Sequence, residues 1–382
     1  MPKELQTYFP PPETAGGWRV LKDPIAIRSL GGMDPERLAC AWEYNEHSRA
    51  KIKTTEEQAL NPYDTRIIQD AQSSAVLIIR RGYIVGEWYK NSDQTTRWNI
   101  HSCTKSITGT AFGMLFEDSR KGLVPGGRMI DLNSRAYRLI PEGYPLTDAR
   151  KERITVRHLL TMTSCIKGEE AGIFGVTPST GVGPFEMALG LGMAANGISA
   201  SELIGEPGSL WDYSDPAFAH LALIFFRAAG VELKAYMQDH VFHPIGFQSY
   251  SWDQFGGETG HIGPHTIPFS NVRTTARDLA RFGYLYLAMG SWEGRQIVPR
   301  EWIELATRTS QSFNRDYGIT WWVNTTGSLW PGIPNDAFAA MGYLGNKCYI
   351  IPSLDLVIVR TGDGPWPWDD KPFLSLIAAS VL

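Results

Sequence analysis

Strand-forming runs lie towards the two ends of this 382-residue chain, and helical segments fill the stretch between them. Towards the N-terminal end, Ala75-Val76-Leu77-Ile78-Ile79-Arg80 and Tyr83-Ile84-Val85-Gly86-Glu87-Trp88-Tyr89 are separated only by Arg81-Gly82. Two β-rich runs joined by so short a link predict a hairpin. At the other end, residues 317–323, 337–341, 347–351 and 356–360 have the same character. Helical patterning covers 156–163, 186–195, 217–230, 233–240 and 274–289, with glycine and proline loops between. Residues 1–70 are irregular apart from a helix around 35–45, and a closing helix runs over about 370–381. Hairpin-length links such as Pro352-Ser353-Leu354-Asp355 favour antiparallel pairing. The expectation is an α/β (α+β) fold, with one antiparallel sheet assembled from both chain ends, flanked by helices and carrying a mainly helical insertion. Residues 1–110 with 275–382 would form the α/β lobe and 111–274 the helical lobe, with an active site between them.

Composition narrows the function classes. Hydrophobic residues make up 43% and charged residues 20%, as in a globular protein with an ample core. A net charge of −4 and the lack of a Lys/Arg-rich run argue against nucleic acid or an anionic membrane as partner. No apolar run approaches the ~20 residues of a membrane span, and the polar N-terminus lacks a signal-peptide core. Cys40, Cys103, Cys165 and Cys348 are scattered, which favours free thiols and a cytoplasmic location, unless a leader has been trimmed. The partner expected is a small-molecule substrate. Neither cofactor nor metal is expected, and oligomeric state is not legible.

Ser102-Cys103-Thr104-Lys105 opens a helical run directly after the hairpin and a short loop. A serine and a lysine three apart share one helix face, and a lysine so placed can serve a serine nucleophile as base. Ser-x-x-Lys is common by chance, and Ser48…Lys51 and Ser164…Lys167 also match. Ser48 sits in a charged stretch and Ser164 follows a helix, so only Ser102 has the right context. Unpaired N–H groups at a helix start stabilise developing negative charge. The competing reading is that Ser102 merely caps the helix.

Further segments follow Ser102 in order: Val156-Arg157-His158-Leu159-Leu160-Thr161-Met162-Thr163-Ser164, Pro207-Gly208-Ser209-Leu210-Trp211-Asp212-Tyr213-Ser214-Asp215, and 274–282. With Ser102–Lys105 they resemble the serine β-lactamase-like superfamily over roughly residues 70–365. The branch is that of class C β-lactamases, family VIII esterases, D-aminopeptidases and 6-aminohexanoate-dimer hydrolases. The resemblance implies a β-lactamase/transpeptidase-like fold, with Ser102 as the acylated nucleophile and Lys105 as the lysine that helps deprotonate it. Tyr213 matches the tyrosine of a Tyr-x-Asn/Ser element, relaying a proton to the leaving group and later activating water. The oxyanion donors would be the N–H groups of Ser102 and Tyr343.

Two departures stand out. Where many members carry Lys/His-Thr/Ser-Gly, this chain has Ala340-Met341-Gly342, and Asp215 replaces asparagine or serine. With Asp215, Met341 and Gly342 at the substrate, both changes point away from penicillin-like anions and toward neutral or cationic esters or amides. Arg360-Thr361-Gly362 imitates the missing element but ends the following strand. The expected function is a serine esterase or amidase working through an acyl-enzyme. The alternatives are a β-lactamase or D-aminopeptidase, and a binding or sensor protein without turnover.

Other features are set aside. His101 projects from another part of the turn, and Cys103 points away from the Ser102–Lys105 face. Glu186 half matches a deacylation element. His261 and His265 belong to a glycine- and proline-containing loop without metal-motif spacing. Trp321, Trp322, Trp330, Trp366 and Trp368 are candidates for either pocket or core.

Overall fold

The computed structural model describes residues 8–49, 68–168, 183–192, 201–257 and 261–382. Its main sheet contains β1 (Arg19–Val20), β2 (Ser74–Arg80), β3 (Tyr83–Lys90), β4 (Trp322–Val323), β5 (Phe338–Gly342), β6 (Asn346–Ile351) and β7 (Leu356–Gly362). Their spatial order is β1-β3-β2-β7-β6-β5-β4, so the sheet joins the two chain ends as expected. The junction is the β2–β7 pair, in register from Leu356 opposite Arg80 to Gly362 opposite Ser74.

Residues of β2 are buried throughout. Leu77 and Ile79 face one core and Val76 and Ile78 the other. A strand covered on both faces reads as a continuous apolar run rather than an alternating one. One face is covered by α1 (Pro35–His47) and α5 (Asp370–Ala378), through Leu38, Ala41, Phe373 and Ile377. The other receives α2 (Cys103–Arg120) and α4 (Ala276–Leu287), and its core continues into α3 (Asp215–Ala229).

Several expectations change. The sheet is mixed, because β1 pairs parallel with β3, Arg19 opposite Tyr83; two residues give no periodicity by which to detect such a strand. The strand expected over 317–323 shrinks to Trp322–Val323. Thr320 adopts a φ of 65°, and Gly318 N–H reaches Trp321 O at 2.8 Å, so the aromatic-rich run doubles back on itself. The helix expected over 186–195 is Pro184–Leu189, stopped by Gly190 at a φ of 88°; residues 193–195 lie outside the described residues.

The Ser102 helix is central rather than amphipathic. Every residue from Cys103 to Leu115 is buried. Its polar side chains are satisfied inside: Ser106 Oγ donates to Thr320 O at 2.6 Å, Thr108 Oγ1 to Pro268 O at 2.6 Å and Thr110 Oγ1 to Ser106 O at 2.8 Å. Buried hydroxyls are tolerated when bonded in this way. Among the described residues no single helix is long and apolar enough to cross a membrane.

Ile358 is fully buried at the β2–β7 junction. Ile358→Ala should lower unfolding stability by about 2–5 kcal/mol, measured as a reduced urea midpoint with an unchanged slope; a shift below experimental error would mean that this junction is not the centre of the core.

Candidate active site

A short three-stranded sheet positions Ser102. Trp98–Asn99 and Tyr250–Trp252 both pair with Val272–Thr274, and Ile100 N–H bonds Val272 O at 2.9 Å. The chain then turns at His101, whose φ is 47°. Asn99 Oδ1 accepts the His101 N–H at 2.9 Å, supporting a backbone conformation that costs a non-glycine residue about 1–2 kcal/mol. Ser102 follows in the cap position with half-buried surface and makes no side-chain cap bond. The capping reading is thereby overturned. The amides of Cys103 and Thr104 are committed to the carbonyls of Ile100 and His101.

Lys105, 2% exposed, donates from Nζ to Ser102 Oγ at 2.9 Å and to Phe269 O at 3.1 Å. Its third neighbour is Asp215 Oδ1 at 2.6 Å. An ammonium has three protons to give, and here three oxygens surround it. The Tyr213 ring centroid is 4.7 Å from Nζ. Asp215 occupies the first turn of α3, where the helix dipole favours a carboxylate. Ser214 caps that helix by accepting from Ala217 N–H at 3.0 Å.

The segment around Met162 carries Tyr213. Asp212 N–H bonds Met162 O at 2.9 Å, and Ser214 N–H reaches Met162 Sδ at 3.4 Å. Met162 itself has a φ of 60°. The Val156–Ser164 motif thus touches the site through its backbone and one sulfur. Trp211 and Trp322 flank Tyr213 at ring separations of 6.2 and 6.4 Å, around a fully buried Tyr317. Burial, then proximity to Tyr213, holds the Tyr317 phenol well above its usual range.

The end of β5 meets the Ser102 turn from the other side. A Cβ at Gly342 would lie 2.2 Å from Ile100 O and 3.3 Å from Cys103 N, so only glycine allows this approach. Met341 is half-buried beside it. The Tyr343 ring packs against His101 and Trp366, at 5.6 and 4.8 Å. Asn346 steadies the turn by donating to Tyr343 O at 2.8 Å. Arg360 is fully buried and donates to Asn45, Leu344 O and Gly345 O at 2.8, 3.1 and 2.9 Å. It clamps the turn and offers no cation to a substrate.

The residues set aside are occupied elsewhere. Burial, with Arg273 and Lys105 nearby, pulls the His101 imidazole down to about 4. The Cys103 thiol, fully buried, is pushed up to about 12. Glu186 accepts from Ile262 N–H at 2.7 Å, and His265 pairs with Glu232 at 2.8 Å. Trp321 and Trp330 are core residues, and Trp368 lies under the Arg360 guanidinium. Trp211 and the Phe269 carbonyl were not singled out from sequence. Trp211 stands in the quoted Tyr213 loop, whereas a backbone acceptor leaves no trace in residue type.

Known structures share this architecture. The "Putative 6-aminohexanoate-dimer hydrolase from Bacillus anthracis" is 20% identical, with a TM-score of 0.61 over 88% of this chain and 83% of that one. "EstCE1, a hydrolase with promiscuous acyltransferase activity" is 15% identical, with a TM-score of 0.60 over 91% and 99%. An uncharacterised protein of Alkalihalophilus pseudofirmus is 24% identical over 79% of this chain and 87% of its own length. The chain spans only 39% of Protein flp from Staphylococcus aureus, another relative it matches. The fold is that of the β-lactamase/transpeptidase-like hydrolases. The Beta-lactamase family model matches residues 57–369, and the chain belongs to that family.

Gly342→Ala should separate β5 from the Ser102 turn without unfolding the protein. The rate of fluorophosphonate labelling is expected to fall at least about tenfold, with an unchanged circular dichroism spectrum; wild-type labelling would show that the close approach has no bearing on reactivity.

Proposed function

We propose that this protein is a serine hydrolase that cleaves an ester or amide bond of a small, neutral, apolar substrate through an acyl-enzyme on Ser102. The observation that carries this reading is the 2.9 Å bond between Ser102 Oγ and the buried Lys105 Nζ. A serine bonded to a buried lysine at an accessible helix start is the arrangement of an activated nucleophile. The site would lie between an α/β lobe of 1–110 with 275–382 and a helical lobe of 111–274.

Ser102 Oγ attacks the carbonyl carbon as its proton passes to the Tyr213 oxygen, whose phenolate form the neighbouring Lys105 ammonium favours. The tetrahedral oxyanion is held by the N–H groups of Ser102 and Tyr343, a reading supported by the close approach of Gly342 to the Ile100 carbonyl beside the Ser102 turn. Tyr213 returns the proton to the leaving alcohol or amine, and the carbonyl reforms as the acyl-enzyme. Water, deprotonated by the regenerated Tyr213 phenolate, then attacks the acyl carbon, and the proton passes on to Ser102 Oγ as the acid leaves. Half-buried Trp211 and Trp322 beside Tyr213 support an apolar group on the substrate. The Phe-Ala-Ala-Met-Gly sequence of β5 supports a substrate without a carboxylate to anchor. The names of the amide- and acyl-transferring neighbours are compatible with this chemistry.

Incubation with a fluorophosphonate, followed by intact mass and peptide mapping, should give one adduct on Ser102 that is absent from Ser102→Ala. A folded wild type without the adduct would overturn the hydrolase reading in favour of a binding protein. Lys105→Ala should abolish acylation while retaining the fold, and wild-type turnover in that variant would defeat the mechanism. Tyr213→Phe should lower kcat by about 10²–10⁴ with a smaller change in KM, measured on a p-nitrophenyl ester; an unchanged kcat would remove the tyrosine from the proton path. Nitrocefin turnover exceeding ester turnover would reassign the protein to β-lactam chemistry.

A further inference from the structure

We propose that Asp215 is a charge filter: by pairing with Lys105 it cancels the cation beside the nucleophile, so the site selects neutral substrates and rejects those bearing a carboxylate. The inference rests on the serine-hydrolase reading and names how that site chooses among substrates. It also revises the expectation from sequence, in which Asp215 presents a negative charge that would welcome cationic substrates as well.

The charge accounting is local. Asp215 Oδ1 stands 2.6 Å from Lys105 Nζ, and the two side chains are 15% and 2% exposed. The carboxylate is therefore directed at the lysine. At this depth a unit charge acts through a low effective dielectric, so a paired and an unpaired lysine present very different fields to a ligand on Ser102. Two other basic residues close to the site are committed elsewhere. Arg360 is buried against Asn45 and the Leu344–Gly345 carbonyls. Lys347 is buried with its Nζ 3.9 Å from Asp370. Arg273, exposed opposite Asn99 and near enough to His101 to lower its pKa, is the remaining cation and is controlled for in the test. Strand β5 contributes Ala340 and Met341 where a cation would have to stand to reach a substrate beside Gly342. The walls supplied by Trp211 and Trp322 are uncharged. A substrate carboxylate would lose its hydration here without meeting a free positive charge.

The test uses paired probes that need no turnover. Phenylboronic acid and 4-carboxyphenylboronic acid both accept Ser102 Oγ at boron. Trigonal boron becomes a tetrahedral anion, and the serine proton leaves to buffer. Binding is followed by intrinsic tryptophan fluorescence, since Trp211 lies near Tyr213, and the ratio of the two affinities isolates the carboxylate. Wild type should favour the uncharged probe by about tenfold. Asp215→Asn should shift the ratio toward the carboxylated probe by at least about fivefold, and Asp215→Ser, with a different shape but the same charge change, should do likewise. Equal affinities in wild type would overturn the filter. So would an unchanged ratio in both variants, or a shift produced by Arg273→Ala instead. Fluorophosphonate labelling of the same samples separates the two failures: labelled Ser102 with an unchanged ratio refutes the filter alone, whereas unlabelled Ser102 refutes the hydrolase reading and the filter with it.

Discussion

A buried lysine ammonium organises the centre of this protein. Taking such a charge out of water costs several kcal/mol unless oxygen acceptors replace the lost hydration. Here the replacements are two hydrogen-bond acceptors, Ser102 Oγ and the Phe269 carbonyl, and one counter-ion, the Asp215 carboxylate at the start of α3. The lysine therefore binds the helix that begins after Ser102 to a loop and to a second helix, which ties the packing of these elements to the geometry of the candidate site.

The surroundings share this logic of internal satisfaction. Helix α2 is buried from its first residue, yet carries Thr104, Ser106, Thr108 and Thr110. Thr104, Ser106 and Thr108 are engaged by backbone groups of neighbouring segments, Thr104 Oγ1, for example, accepting the Val272 N–H at 3.3 Å, whereas Thr110 bonds Ser106 O of its own helix and the Tyr286 hydroxyl. These bonds fix the loops on which the site depends, because a hydroxyl left unpaired at this depth is costly. On the sheet side, Arg360 and Asn346 tie down the turn that follows Gly342. Gly342 in turn allows a strand end to touch the backbone of Ile100 and Cys103 on either side of the Ser102 turn. Rigidity on both sides of Ser102 suits a site that must hold an oxyanion in one position.

Much of the fold was legible because the signals were long and unambiguous. The β2–β3 hairpin, the strands β5 to β7 and the helices α1 to α5 follow apolar patterns with clear breaks. The strand over 317–323 was not, since Tyr317, Ile319, Trp321 and Trp322 suit a strand and a buried loop equally well. Their separate partners, among them Trp211 for Tyr317 and Tyr286 for Trp321 at 5.6 and 4.4 Å, decided the outcome. Strand β1 was invisible because its pairing comes from β3, not from its own two residues. Within the site, Ser102 and Lys105 could be paired from helix spacing alone. The juxtaposition of Tyr213 with Lys105 was accessible only through ordered motifs and resemblance.

The sequence by itself determined the local elements on which the candidate residues Ser102, Lys105 and Tyr213 ride, because helix periodicity and short hairpin links act over a few residues. Tertiary structure alone decided how charge is distributed among them. In the sequence Asp215 is a negative charge open to a substrate, and Arg360 is a positive charge that only imitates the missing element from the following strand. In the fold Asp215 is neutralised by Lys105 and Arg360 is enclosed by carbonyls. Electrostatic character depends on distance and burial between residues 15 to 110 positions apart, and a linear pattern contains neither.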